Sequence, residues 1–412
     1  MDPERLRILV DENVAYALES FGRFGTVRAF PGRRITAADV KHVDVLIVRS
    51  VTRVNEALLA GSSVKFVGTA TIGCDHVDVE YLCGRGIAFA SAPGSNATSV
   101  AEYIVAALLL SAHARQRPLE GSTMAVIGVG NVGARVVEKA RALGMRCVLN
   151  DPPRQRNSRD PAFVALDDAL SQADYVTLHV PLEHTGPDAT VGMAGRAFLD
   201  KMRSDAVLLN TSRGAVVDEE ALAAALDSGR VSHAVLDVWQ REPDIDPQIV
   251  GRAFLATPHI AGYSFDGKVL ATAMLCQALC RWLNQPADSD LSDLLPPPTV
   301  PRIDLTQIVA KRRGASPQAS DFRSGVGTPL LREDEDLVRT VVSAVYDITE
   351  DDRALRGVFA NAARDSIGAQ FDLLRKTYQR RREFCHTTVV LPRERDALFR
   401  KMASLGFRAE TH

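Results

Sequence analysis

The sequence predicts an α/β protein: two Rossmann-like, doubly wound parallel-sheet domains followed by a smaller α+β unit. Three observations carry that prediction. Short β-branched runs alternate with helical segments through roughly the first three hundred residues, which is how parallel strands with crossover helices read. A glycine-rich turn joins one of those runs to a helix at 128–133, and beyond residue 286 the composition shifts to proline, glycine and charge. A chain of 412 residues exceeds one comfortable core. Its 46% apolar, 24% charged and 6% aromatic content is the balance of an ordinary globular protein. The formal net charge of -2 supplies no long-range field to collect nucleic acid, so no nucleic-acid partner is expected.

The first unit opens with "LRILVDEN" (6–13), a helical segment at 14–22 and "TVRAF", followed by "VDVLIVRS" (43–50), "VKFVGTAT" (64–71) and "GIAFASAP" (86–93). Each run is apolar and closed by polar residues, as strands are. From 97 to 114 apolar residues recur three and four apart behind Pro93 and Gly94, predicting a long helix. Its run "YIVAALLLSA" is too short to span a bilayer and reads as buried, so no membrane association is expected. Further strands are expected at 174–179, 206–210, 233–237 and 254–257, and a helix at 268–284 that can pack back on the first unit.

The domain expectation is therefore 1–97 with 268–285 as a discontinuous substrate-binding domain, 98–267 as a dinucleotide-binding domain, and 286–412 as linker plus C-terminal unit. "LLPPPTVPR" and "KRRGASPQASDFRSG" within 286–334 read as linker or partly ordered loop. The C-terminal unit reads as a helix "DEDLVRTVVSAVYDITEDD", a basic helix "FDLLRKTYQRRREF" with a solvated or subunit-contacting face, the run "HTTVVLP" and a last helix ending in "LGF". The six cysteines form no CxxC pair, and Cys276 and Cys280, four apart on a helix, read as core residues and not as a metal pair. With no apolar stretch of signal type at the N-terminus, these features predict a reducing, cytoplasmic location and no metal.

The sequence "MAVIGVGNVGARVVEKARALGMRCVLND" carries Gly128, Gly130 and Gly133 between a strand and a helix, and a second strand ending at Asp151. Gly128 permits the turn, Gly130 leaves room for a pyrophosphate, and Gly133 lets helix approach strand, with Asn131 and Val132 opening the helix whose free N–H groups face the phosphates. Asp151 can accept both ribose hydroxyls, which favours NAD over its phosphorylated relative, although Arg154 and Arg156 beyond it can accommodate a phosphate. Val180 and Pro181, after the strand ending at His179, are expected to line the cofactor; His179 itself reads as structural.

Three further strand ends converge on the carboxyl edge of the same sheet, where open α/β sheets bind ligands: "LLNTSRGAVVD", "VLDVW" and "ATPHIAGYS". Oxidation of an alcohol needs a base for the hydroxyl proton, and His259 is suited to it. Glu242 in "DVWQRE" is the candidate to fix its tautomer, and Arg213 to clamp a substrate carboxylate through paired hydrogen bonds.

With "GVGNVG", "NTSRGAVVDEEAL", "LDVWQREP" and "TPHIAGYS" in place, residues 1–285 resemble the D-isomer-specific 2-hydroxyacid dehydrogenases, whose pattern has Arg, Glu and His in this order. The resemblance implies hydride transfer to NAD, Arg213 on the substrate carboxylate, a His259 and Glu242 pair, and Thr211, Ser212, Asp237 and Gly262 near the nicotinamide end. "ILVDEN", "VRSVTRVNEALL", "FVGTATIGCDHVD", "APGSNA", "HIAGY", "DLLPPP", "YDITEDDRALR" and "YQRRREF" narrow it to a branch acting on a phosphorylated four-carbon acid. That branch implies a homodimer held by the C-terminal domain, and substrate contacts from Ser50, Thr71 and Tyr263. Arg49, beside two hydroxyls at strand ends, is added for the phosphate dianion. Ser212 stands where the branch can have cysteine, "QRE" replaces a more usual glycine between two acids, and 302–324 is longer and more basic than the pattern leads one to expect. The alternatives are a dehydrogenase of 3-phosphoglycerate or another 2-hydroxyacid, and a non-enzymatic NAD sensor, which would have lost the base or the arginine.

Overall fold

The computed structural model describes residues 6–286, 291, 294–306, 329–361 and 366–412. The chain divides into two compact units, one formed by Met1–Asn96 with Ser264–Pro296 and the other by Ala97–Tyr263 with Pro297–His412.

The first unit is a five-stranded parallel sheet in the order β2-β1-β3-β4-β5, with β1 at Leu6–Asp11, β2 at Gly25–Phe30, β3 at Val45–Val48, β4 at Phe66–Thr69 and β5 at Ala88–Ala90. Alternate residues of each strand feed opposite faces, as the pleat requires. Ile8, Val10, Val45, Ile47 and Phe66 pack with Leu275, Cys276, Leu279 and Cys280 of the helix Phe265–Trp282. Leu9, Leu46, Val48 and Val67 pack on the other face with Leu59 and Leu82. The helix from 265 thus completes the fold begun at the N-terminus. Its start is capped by the Ser264 hydroxyl, which accepts from the Gly267 N–H at 2.8 Å. Cys276 and Cys280 are fully buried core residues, and Arg23 donates to the Cys280 sulfur at 2.9 Å.

The second unit carries a six-stranded parallel sheet in the order β11-β10-β9-β8-β6-β7. Its strands are β6 Thr123–Ile127, β7 Arg146–Asn150, β8 Tyr175–Leu178, β9 Ala206–Asn210, β10 Val231–Leu236 and β11 Leu255–Ala256. Strands buried on both faces read as continuous apolar runs, and "TMAVI" and "AVLLN" are wholly buried. Chain order reverses between β6 and β8, the switch point at which such sheets open a ligand crevice. The helix Ala97–Arg115 is long and apolar enough by composition to cross a membrane, yet most of it is buried inside this unit. Its bounds agree with the helix that the apolar spacing predicts over 97–114.

Residues 297–412 add a three-stranded parallel sheet, β12 Arg302–Asp304, β13 Thr388–Leu391 and β14 Arg408–Thr411, in that order. Phe384, Val389, Leu391, Leu398 and Met402 share one core with Leu108, Val136 and Val137 of the nucleotide-binding part. On the opposite face Leu355, Val358, Ile367 and Phe371 join Leu208, Leu236 and Ile249. Buried Glu102 accepts from the Phe384 N–H at 2.9 Å, and Lys139 donates to the Leu405 carbonyl at 2.6 Å, tying the two parts together. Burial drives the Glu102 carboxyl upward, against the nearby Lys139.

Three local expectations change. The helix expected through 335–352 is two, Pro329–Val345 and Ile348–Asn361, because the Asp347 side chain accepts from the Thr349 N–H at 3.0 Å and starts a new helix. The basic helix ends at Lys376, and "YQRRREF" is not a solvated helix face. Arg381 and Arg382 are buried, and Arg381 donates to the carbonyls of Ser99 and Ala261 at 3.2 and 3.0 Å while stacking on Tyr346. Arg302–Asp304, expected within a linker, forms β12, whereas 307–324 of the basic segment lies outside the described residues.

Candidate active site

The glycine turn has the geometry a dinucleotide needs. Gly128 follows β6 with φ +86°, a conformation that favours glycine, and a Cβ there would meet the His179 carbonyl at 2.6 Å. A Cβ on Gly133 would lie 2.0 Å from the Gly128 oxygen, so only glycine lets the helix Asn131–Ala142 approach β6 this closely. At Gly130, the exposed N-cap of that helix, a Cβ would meet nothing within 4 Å. That open space lies where a pyrophosphate would rest on the N–H groups of Asn131 and Val132.

Asp151 closes the turn. Its carboxylate accepts from the Val129 N–H at 2.9 Å and from the Arg154 N–H at 3.0 Å, which fixes it beside the glycines while lone pairs remain for ribose hydroxyls. Val180 and Pro181 follow β8 directly. His179 shares hydrogen bonds with Thr177 and Thr211 at 2.9 and 3.4 Å, and burial pulls its imidazole down to about 3, so it stays neutral and structural.

Past β9, Asn210 organises the turn. Its Oδ1 accepts from the Ser212 N–H at 3.1 Å and hydroxyl at 2.8 Å, while its Nδ2 donates to the Arg213 carbonyl at 3.0 Å. Arg213 thereby sits in extended backbone at the sheet edge, half-buried. Behind it, a Cβ on Gly214 would fall 1.9 Å from the Trp239 carbonyl carbon. The β9 turn and the β10 turn are therefore in direct backbone contact.

Glu242 and His259 meet across that region. His259 Nδ1 and Glu242 Oε2 are 2.7 Å apart, and Glu242 Oε1 accepts from the Trp239 N–H at 2.9 Å. Burial acts to raise the Glu242 carboxyl, but His259, the Trp239 amide and Arg375 outweigh it and hold the group below its usual range. His259 has φ +56°, uncommon for a residue with a side chain, and its N–H donates to the Asp237 carbonyl at 2.7 Å. With Nδ1 occupied by the carboxylate, Nε2 is the nitrogen left for a substrate.

Asp237, directly after β10, anchors the loop that follows β11. It is fully buried, and its oxygens accept from the Thr257 hydroxyl at 2.6 Å and from the N–H groups of Ile260 and Ala261 at 2.8 and 2.9 Å. It folds the loop that presents His259, Gly262 and Tyr263. Thr257 is held in turn by the Tyr103 hydroxyl at 2.7 Å, and its carbonyl by the Trp239 indole at 2.9 Å.

In the first unit, Val48 pairs with Thr69, so Arg49 and Ser50 after β3 and Thr71 after β4 reach the same carboxyl edge. The Thr71 hydroxyl is 2.7 Å from that of Thr69 and donates to the Gly73 carbonyl at 2.9 Å. The sequence did not point to Asn210, Trp239 or Thr257 as supports, although all three lie within the motifs "LLNTSRGAVVD", "VLDVW" and "ATPHIAGYS". It gave no signal at all for Arg375, whose Nη2 donates to the Tyr263 hydroxyl at 3.1 Å.

Comparison with known proteins settles the family. Residues 102–261 match the D-isomer specific 2-hydroxyacid dehydrogenase, NAD binding domain, and residues 331–406 match a domain family of unknown function. An erythronate-4-phosphate dehydrogenase of Salinibacter ruber is 47% identical over 93% of this chain and 94% of its own. One from Cronobacter sakazakii is 40% identical over 99% of both chains. The chain belongs to the erythronate-4-phosphate dehydrogenase family. Among solved structures, D-lactate dehydrogenase from Aquifex aeolicus, complexed with NAD and lactic acid, superposes with a TM-score of 0.57 at 23% identity. That match spans 68% of this chain and 96% of the other, and it shows a shared fold. The family match over 102–261 carries the NAD assignment, and the glycine turn and Asp151 fit that cofactor.

Proposed function

We propose that the chain oxidises the C2 hydroxyl of 4-phospho-D-erythronate to (R)-3-hydroxy-2-oxo-4-phosphooxybutanoate with NAD, in the biosynthesis of pyridoxal 5'-phosphate (vitamin B6). The observation that carries this reading is the Glu242 and His259 pair at 2.7 Å in a chain 40% identical along its whole length to a dehydrogenase named for that substrate.

His259 Nε2 takes the hydroxyl proton, and Glu242 stabilises the resulting imidazolium through Nδ1. Arg213 holds the substrate carboxylate by paired hydrogen bonds and polarises the C2 oxygen. Arg49, Ser50 and Thr71 are assigned to the phosphate, and Tyr263 to the same anionic substrate. Gly128, Gly130, Asn131, Val132, Gly133 and Asp151 hold the adenosine and pyrophosphate half of NAD. Val180, Pro181, Thr211, Ser212, Arg213, Asp237 and Gly262 border its nicotinamide half. Bound NAD supplies the hydride acceptor. A homodimer joined through the C-terminal part, located in the cytoplasm, completes the reading.

The test is turnover of purified protein with NAD and erythronate 4-phosphate, with and without a 2-oxo acid to reoxidise tightly held NADH. Reduction of NAD is expected with this substrate. Turnover of 3-phosphoglycerate alone would replace the substrate and leave the reaction class standing, and loss of neither by Arg213→Ala would remove the assigned site.

A further inference from the structure

The C-terminal part carries a residue that reaches the proposed active site. Arg375 lies in the last turn of the helix Ile367–Lys376, in the stretch that matches a domain family of unknown function. Its Nη2 donates to the Tyr263 hydroxyl at 3.1 Å, and its guanidinium carbon lies 5.8 Å from the Tyr263 ring centre and 5.9 Å from that of Phe371. Its Nε is buried and has no hydrogen-bond partner among the described residues, so one of its donors is not answered by a protein acceptor. Three groups face it electrostatically: Tyr263, Glu242 of the histidine pair, and Asp372 on its own helix.

The chemistry of that contact is directional. A guanidinium can only donate, so the phenol oxygen is the acceptor and its own hydrogen points elsewhere. A phenol whose oxygen already accepts from a cation is a stronger donor to an anion. The positive charge behind it also attracts a ligand in proportion to that ligand's charge. A phosphorylated hydroxy acid carries roughly three negative charges at neutral pH, two of them from a phosphate whose second pKa is about 6, whereas an unphosphorylated one carries a single carboxylate.

We infer that Arg375 is a positioning residue through which the C-terminal part orients Tyr263 and selects a phosphorylated hydroxy acid over its unphosphorylated counterpart. This rests on the assignment of Tyr263 to the substrate. About a third of the chain has no counterpart in the D-lactate dehydrogenase structure, which spans 68% of it, so such a contribution need not be shared by enzymes of small unphosphorylated acids.

The experiment measures kcat and KM of the full-length protein with erythronate 4-phosphate and with D-erythronate, for wild type, Arg375→Met, Arg375→Lys, Tyr263→Phe and the Arg375→Met/Tyr263→Phe double variant. NADH affinity, read by fluorescence, checks that each variant is folded around its cofactor. Arg375→Met is expected to raise KM for erythronate 4-phosphate about 10-fold, with kcat falling less than about 3-fold and KM for D-erythronate changing much less. Arg375→Lys should recover part of the discrimination, and the methionine should matter little once Tyr263 is phenylalanine. An unchanged ratio of the two KM values in Arg375→Met, or an equal effect with and without the Tyr263 hydroxyl, overturns the inference. If the wild type and Tyr263→Phe behave alike, the assignment of Tyr263 fails, and this inference with it. If Tyr263→Phe is impaired and Arg375→Met is normal, this inference alone fails.

Discussion

Replacing Glu242 by glutamine changes one charge and almost no volume, which makes it the sharpest perturbation of the site. Glu242 Oε1 accepts from the Trp239 N–H at 2.9 Å and Oε2 faces His259 Nδ1 at 2.7 Å. A glutamine keeps the Trp239 bond only by placing its carbonyl oxygen there, which turns its NH2 group toward Nδ1. Two donors cannot share a hydrogen bond, so the imidazole must present a lone pair at Nδ1 and carry its proton on Nε2. In that tautomer Nε2 has no lone pair with which to take the substrate's proton. The charge-assisted bond itself is worth about 1.5–3 kcal/mol, or roughly 10- to 150-fold. Loss of the correct tautomer extends this to as much as ~10⁴-fold in kcat, the upper range for a positioned general base. The assay is steady-state NADH formation from erythronate 4-phosphate, with NADH binding as a control for the intact cofactor site. In the wild type the pair operates while Glu242 is ionised, so its contribution holds through and below the usual carboxylate range and is lost only as pH falls through that lowered value. A glutamine variant retaining more than about a third of wild-type kcat, against the roughly 10-fold minimum worked above, would refute the role of the pair.

Two further outcomes follow from the packing around the site. Gly214→Ala places a methyl group 1.9 Å from the Trp239 backbone, so it should cost about 1–3 kcal/mol and lower kcat by displacing the amide that holds Glu242; a variant with wild-type Tm and kcat would contradict the close approach. Asp351 is buried and pushed up to about 6, although the Tyr346 and Tyr378 hydroxyls donate to it at 2.9 and 3.1 Å. The folded state then holds its proton more tightly than the unfolded chain, so stability falls as pH rises from about 4 to about 6. Asp351→Asn should flatten that part of the denaturation profile, and an unaltered slope would show that the carboxyl titrates normally.

Much of this arrangement was legible because strands and turns are local. The runs "VLIV" and "AVLLN" announce buried parallel strands, and the glycines of "GVGNVG" announce the turn that Gly128 and Gly133 make necessary. Arg213, Glu242 and His259 stand out in the sequence because each follows a strand, and a parallel sheet brings all strand ends to one edge. What escaped depends on contacts far apart in sequence. Asp237 stands out as a cofactor contact, but nothing local marks its second part, folding the loop after β11 through Thr257, Ile260 and Ala261. In "YQRRREF" the density of charge suggested a solvated helix, whereas Arg381 is buried against carbonyls of Ser99 and Ala261, acceptors no local pattern reveals. Arg375 belongs to the same class: an arginine on an amphipathic helix carries no mark of the tyrosine it will meet 112 residues away.

The central claim, that these residues remove the C2 hydrogen of a phosphorylated hydroxy acid as hydride, is tested most directly with substrate labelled at that carbon. Erythronate 4-phosphate carrying deuterium at C2, turned over with NAD, should deliver the deuterium to the reduced cofactor while the 2-oxo product loses it. Deuterium recovered in water, or retained in the product beside unlabelled NADH, would contradict hydride transfer from C2.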